Sequence, residues 1–109
     1  MLTVMKNGEI QLTRGDTAKL TVDLEDDAKQ PYSVQPDDVV TLTVKRNYGD
    51  AEAVIEKKVK GTNVFHIKPE DTKGLAFGKY KYDVQLTTAE GDNYTVLAKK
   101  TFVIEEEVG

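Results

Sequence analysis

The stretch that decides the fold reads Pro69-Glu70-Asp71-Thr72-Lys73-Gly74-Leu75-Ala76-Phe77-Gly78-Lys79-Tyr80-Lys81-Tyr82-Asp83-Val84-Gln85-Leu86. Proline at its head suits the first position of a helix, and Gly74 suits the end of one, so Pro69–Gly74 reads as a single helical turn. From Gly78 the period changes to two. Tyr80, Tyr82, Val84 and Leu86 alternate with Lys79, Lys81, Asp83 and Gln85, which is the pattern of a strand with one face in a core and one in water.

The same alternation recurs outward along the chain. Ala18, Leu20, Val22 and Leu24 interleave with Thr17, Lys19, Thr21 and Asp23. Val40, Leu42 and Val44 interleave with Val39, Thr41, Thr43 and Lys45. No window of helical length carries a convincing stripe at 3.6 residues. The segment from Asp50 is the nearest to one, and its Val54-Ile55 and Val59 make it a strand from about Ala53. Val occurs 13 times and Thr 12 times against 7 Ala and 8 Leu, a bias toward side chains that fit a pleated sheet.

Strands are therefore expected near 9–13, 17–25, 38–46, 53–60, 63–68, 79–88 and 93–104, with a short extra one at 2–5. Asn7-Gly8 marks a tight turn or a bend before the strand at 9–13. Arg14-Gly15-Asp16 reads as a hairpin turn, with Gly15 supplying positive φ and Asp16 a local hydrogen bond. Lys60-Gly61-Thr62-Asn63 and Ala89-Glu90-Gly91-Asp92 read as further hairpins. Asp26 to Pro31 and Gln35 to Asp38 read as solvated loops. Glu105-Glu106-Glu107-Val108-Gly109 reads as a fraying tail. This spacing of strands and turns is that of a β-sandwich occupying one domain, residues 1–109.

The composition removes several chemistries. The chain has 109 residues, no Cys, no Trp, one His and a formal net charge of −4. Without cysteine there is no disulfide, thiolate metal site or thiol nucleophile. The negative charge argues against nucleic acid or an anionic membrane as partner. Met1-Leu2-Thr3-Val4-Met5-Lys6 is not a secretory signal, and no run is long and apolar enough to span a bilayer, so the cytosol or a particle assembled there is the expected compartment.

Each candidate for chemistry has a plainer reading. His66 falls on the polar side of Phe65-His66-Ile67 and reads as a solvent-facing strand residue. Asp23, Glu25, Asp26, Asp27 and Asp37, Asp38 are rich in oxygen. Their spacing fits no calcium loop, and they read as loop solvation. Asn93-Tyr94-Thr95 is formally a glycosylation acceptor but reads as the start of a strand. Lys57, Lys58, Lys60, Lys99 and Lys100 lack interleaved aromatic residues and read as charges that protect strand surfaces from aggregation. No phosphate loop, nucleophile elbow or paired-histidine motif occurs. The sequence thus offers no catalytic, cofactor-binding or metal-ligating set.

Two resemblances sharpen this. Gly78-Lys79-Tyr80-Lys81-Tyr82 after a helical turn is similar to the tyrosine corner of immunoglobulin-like domains, which reads Asp-x-Gly-x-Tyr-x-Cys. By position, Tyr80 would be the corner tyrosine, its hydroxyl bonded to backbone just upstream. Tyr82 would stand where the cysteine usually is, and Val40, Leu42 and Val44 would fill the space of the usual tryptophan. More broadly, Ile10-Gln11-Leu12-Thr13-Arg14-Gly15-Asp16-Thr17 resembles the opening of small immunoglobulin-like structural modules in tailed phages and prophages of Gram-positive bacteria. The later motifs, Val40 to Lys45, Pro69 to Thr72 and Gly78 to Leu86, follow in that family's order. The N-terminal domain of the phage baseplate upper protein is one such module.

The resemblance implies an all-β, immunoglobulin-like sandwich of seven to eight antiparallel strands without a disulfide. Its structural residues would be Tyr80, Tyr82, Gly78 and Gly15. It implies a non-enzymatic tail or baseplate part, found in the virion or in the host cytoplasm during assembly. The partners would be neighbouring tail or baseplate subunits or further copies of the chain in a ring or trimer. The competing expectation is a carbohydrate- or protein-binding module of a bacterial surface protein, with Tyr32, Tyr48 and Phe77 as its loop aromatics. The expected core is Leu12, Leu20, Val22, Leu24, Val40, Leu42, Val44, Phe65, Ile67, Tyr80, Tyr82, Val84, Leu86, Val96, Phe102 and Ile104.

Overall fold

A computed structural model describes residues 2–4, 8–25 and 28–106, the side chains of 2–4 and 97–99 excepted. Asn7, Asp26, Asp27, the Lys99 side chain and 107–109 lie outside the description. Half of the chain is strand. The strands are β1 (Leu2–Val4), β2 (Ile10–Thr13), β3 (Ala18–Thr21), β4 (Val39–Lys45), β5 (Ile55–Lys60), β6 (Val64–Ile67), β7 (Gly78–Thr87) and β8 (Asn93–Glu105), with one helical turn, α1 (Pro69–Thr72), between β6 and β7.

Six strands form one sheet in the order β1-β2-β8-β7-β4-β5, and β3 pairs with β6 in a second, small sheet. Period-2 burial explains why these two layers meet. Val40, Leu42 and Val44 on β4, and Tyr80, Tyr82, Val84 and Leu86 on β7, share one apolar cluster with Leu20 on β3 and with Phe65 and Ile67 on β6. Each fully buried Val, Leu or Phe contributes about 1.5–3 kcal/mol, so this cluster holds the layers together without a cross-link.

Four features depart from the sequence reading. First, not all pairs are antiparallel: β2 runs parallel to β8, with Ile10 beside Phe102 and Thr13 beside Glu105. Glu105 therefore closes a strand rather than opening a frayed tail, and its carbonyl accepts the Arg14 N–H at 3.0 Å. Second, the turns at Arg14-Gly15-Asp16 and at Lys60-Gly61-Thr62-Asn63 are not hairpins. Each carries the chain from the large sheet to the small one, since β2 and β5 belong to the former and β3 and β6 to the latter. Gly61 leaves the sheet because its N–H donates to the Asp38 carbonyl at 2.8 Å. The Ala89–Asp92 turn alone of the three is a hairpin, closed by Thr88 N–H to Asp92 O at 2.9 Å and Gly91 N–H to Thr88 O at 3.0 Å.

Third, the strand expected over 17–25 pairs regularly only to Thr21. Beyond it Asn63 substitutes for the ladder, accepting the Val22 N–H at 3.0 Å and donating its side-chain amide to Val22 O at 2.7 Å. Val22 and Leu24 stay buried in phase. Fourth, Val96 is only partly buried. The β7–β8 register slips between Tyr82 and Val84 and again between Val84 and Gln85, so β8 carries extra residues there and its alternation is lost. Ile10, Ala18 and Ile55 join the core in addition to the expected set.

Strand directions sort the connections into two ends. Segments 14–17, 46–54 and 68–77 lie at the helix end. Segments 22–25, 28–38, 61–63 and 88–92 lie at the hairpin end.

Candidate functional site

At the helix end the motifs singled out in the sequence interlock. Gly15 has φ +84, which only glycine adopts without strain, and its N–H donates to Oγ1 of Thr72 at 2.8 Å. Thr72 sits in α1 with no exposed surface. Arg14 spreads its guanidinium over the Phe77 ring, 4.2 Å from the centroid. The 14–16 turn is thus bound to the helical turn 57 residues later. The Asp71 carboxylate closes α1 at its start by accepting the Lys68 N–H at 2.8 Å, and it pairs with Lys57 at 2.8 Å.

Burial alone would push the Asp71 carboxyl up. The hydrogen bonds from Lys57 and the Lys68 N–H, with the charges of both lysines, outweigh it and hold the group below its ordinary value. A depressed folded value means that Asp71 stabilises the fold above the unfolded carboxylate range near ~4 and loses that contribution as pH falls through the folded value. Wild type is therefore expected to lose stability relative to Asp71→Asn as pH drops from about 5 to about 2. Urea midpoints of both proteins across that range check it; parallel curves contradict it.

Tyr80 donates its hydroxyl to the Ala76 carbonyl at 2.7 Å, four residues upstream. Arg46 lies over its ring at 4.6 Å and donates to Lys79 O at 3.2 Å. Gly78 has φ +127, and a β-carbon there would stand 3.1 Å from Arg46 Nη1, so glycine both permits the backbone and admits the arginine. Tyr80→Phe is expected to cost about 1 kcal/mol through the lost hydrogen bond, read as a lower urea midpoint. An unchanged midpoint contradicts it. Tyr82 donates its hydroxyl to the Gly8 carbonyl, and burial pushes its phenol up, so it serves as a neutral donor.

The expected loop aromatics do not converge. Tyr48 and Phe77 are exposed at the helix end. Tyr32 is half-buried at the hairpin end, where it donates its hydroxyl to Asp38 at 2.5 Å. Asp38 is not the solvated loop residue expected from its neighbours: it is 3% exposed and also accepts the Gln35 N–H at 2.9 Å. The hydrogen bond to Asp38, then burial and the carboxylate's charge, push the Tyr32 phenol up. Sequence reasoning missed this clasp because Asp37 and Asp38 are adjacent and identical in type. Only the alternation leading into Val40 marks Asp38 as the inward one.

Beside the clasp lies a cleft of about 560 Å³. Leu24, Leu86 and Val96 line it together with Glu25, Tyr32 and Tyr94. Tyr94 opens β8 opposite Leu86 and is 52% exposed.

The remaining candidates stay apart from this cleft. His66 is exposed on β6 opposite Lys19. Lys57 is tied to Asp71, while Lys58 and Lys60 are exposed on the edge strand β5. Asn93 is exposed and accepts the Thr87 hydroxyl at 2.6 Å. Among the described residues no group of three His, Cys, Asp or Glu is placed to hold a metal ion, and no helix is long and apolar enough to cross a membrane. No protein-family model, curated protein or solved structure matches the chain.

Proposed function

We propose that this chain is a non-enzymatic structural module of a phage or prophage tail or baseplate, built as an immunoglobulin-like sandwich and acting through protein–protein contacts. The observation that carries the reading is the ordered set of motifs from Ile10 to Leu86, each of which serves the framework. The 14–16 turn holds Thr72, and Tyr80 holds the backbone at Ala76 in the manner of a corner tyrosine. The strand order supports the fold half of the proposal: β3 and β6 stand where strands B and E do in such sandwiches, and β4, β7 and β8 where C, F and G do.

Such a module works by offering loops, edges or a sheet face to neighbours, other subunits or further copies of itself. The direct test is mass spectrometry of purified virions or induced prophage particles. The chain is expected among their structural proteins, and its absence overturns the proposal. The second reading, a binding module of a bacterial surface protein, is favoured by the cleft between Tyr32 and Tyr94. Saturable binding on a glycan array, by a chain that never enters particles, would select it.

A further inference from the structure

We propose that the cleft at the hairpin end receives a lysine or arginine side chain from a basic segment of a partner protein. The inference rests on the reading of this chain as a contact module and names the chemistry of one contact.

The cleft is built in three tiers. Leu24, Leu86 and Val96 supply an apolar floor. Tyr32 and Tyr94 supply aromatic walls, and Glu25 supplies a carboxylate at the rim. A lysine or arginine matches each tier: its methylene stem lies on apolar surface, its cationic head stacks on a ring, and its charge pairs with a carboxylate. The Tyr32 ring is held in place by its bond to Asp38, so part of the site is organised before any ligand arrives.

The surrounding charge selects the same ligand. Residues 22–25, 28–38 and 88–92 carry six carboxylates against one lysine, in a chain whose totals are 19 acidic and 15 basic residues. A field of this sign draws in a basic segment and speeds its encounter.

A neutral sugar is the competing ligand, and it fits less well. It needs several hydrogen-bonding groups free to meet its hydroxyls. The Tyr32 hydroxyl already donates to Asp38, Oγ1 of Thr88 accepts the Asp92 N–H at 3.2 Å, and Oδ1 of Asn93 accepts from Thr87. The Tyr32 hydroxyl proton, Oγ1 of Thr88 and Oδ1 of Asn93 are thus each already engaged within the chain.

The test is titration of the isotopically labelled protein with a blocked oligoarginine peptide, followed by amide shifts in NMR. Maltoheptaose and oligoglutamate are the comparison ligands. Saturable shifts are expected at Glu25, Thr88 and Tyr94, with affinity that falls as salt rises. Tyr94→Ala and Glu25→Gln should each weaken binding about three- to ten-fold, since each removes one partner of the cation. Asp23→Asn removes an equal charge from the same loop at a position that does not line the cleft, and it should change affinity less than two-fold. All three side chains are exposed, so the fold should survive each change. The proposal is overturned if Asp23→Asn weakens binding as much as Glu25→Gln while Tyr94→Ala does nothing. It is equally overturned if maltoheptaose binds the cleft in place of the peptide. The two proposals fail separately: an inert cleft leaves particle incorporation untouched, and absence from particles leaves the peptide titration to stand alone.

Discussion

Phe102→Ala is expected to remove about 3–5 kcal/mol of folding stability, the range for truncating a buried aromatic side chain. Phe102 has no exposed surface and sits at the centre of the large sheet. In the ladder it lies between Tyr80 on β7 and Ile10 on β2. Its ring meets that of Tyr82 edge-on, with centroids 6.3 Å apart and planes at 82°. Truncation therefore opens a cavity touching three strands, and the parallel β2–β8 pair has no disulfide to keep it closed. Against a typical domain stability of about 5–15 kcal/mol, the loss is a large fraction of the whole. Urea denaturation should show the midpoint falling by on the order of 1–3 M. A change under about 1 kcal/mol would contradict the position assigned to this ring.

Asp38→Ala should have the next largest effect. The carboxylate holds the 22–38 connection by taking the Tyr32 hydroxyl and the Gln35 N–H, while its own backbone carbonyl turns the chain at Gly61. Removing it strands two donors that were satisfied by a charged acceptor, at a cost of about 1.5–3 kcal/mol. The backbone bond to Gly61 survives the substitution, so the loss should appear as a loosened loop rather than a lost sheet. Two measurements separate these outcomes. The urea midpoint should fall, and ultraviolet titration should show one phenol returning toward the ordinary tyrosine value near ~10, because the bond that raised Tyr32 is gone. A variant with both quantities unchanged would contradict the clasp.

Much of the fold was legible because burial in a sheet imposes a period that survives in the sequence. The alternations at Leu20 to Leu24, Val40 to Val44 and Tyr80 to Leu86 are read directly, and all these inward positions are buried. The helical turn is legible because proline has one φ and suits a helix start. The failures share a cause. A turn such as Arg14-Gly15-Asp16 reports its own backbone angles, not the sheet in which the next strand will pair. Likewise Val96 falls in an apparent alternation, but the slip in β8 depends on how β7 lies beside it.

The candidate site was less legible than the fold. Tyr32 stood out as a loop aromatic, yet Tyr94 is 62 residues further on, and their shared cleft exists only once 22–38 and 88–92 meet at one end. Glu25 looks like its acidic neighbours until the cleft distinguishes it from Asp23.

The sequence by itself determined the inward faces of the alternating strands at 20–24, 40–44 and 80–86, where the chain turns, and which chemistries are closed to a chain with no cysteine and one histidine. These follow from local physics, the two-residue period of a strand and the side chains on hand. Tertiary structure alone decided that β2 runs parallel to β8, that Thr72 receives the Gly15 N–H, that Asp38 takes the Tyr32 hydroxyl, and that Tyr32 and Tyr94 border one cleft. Each of these joins residues far apart in the chain or depends on which strand lies alongside, and pairing energies between distant segments leave no mark on local periodicity.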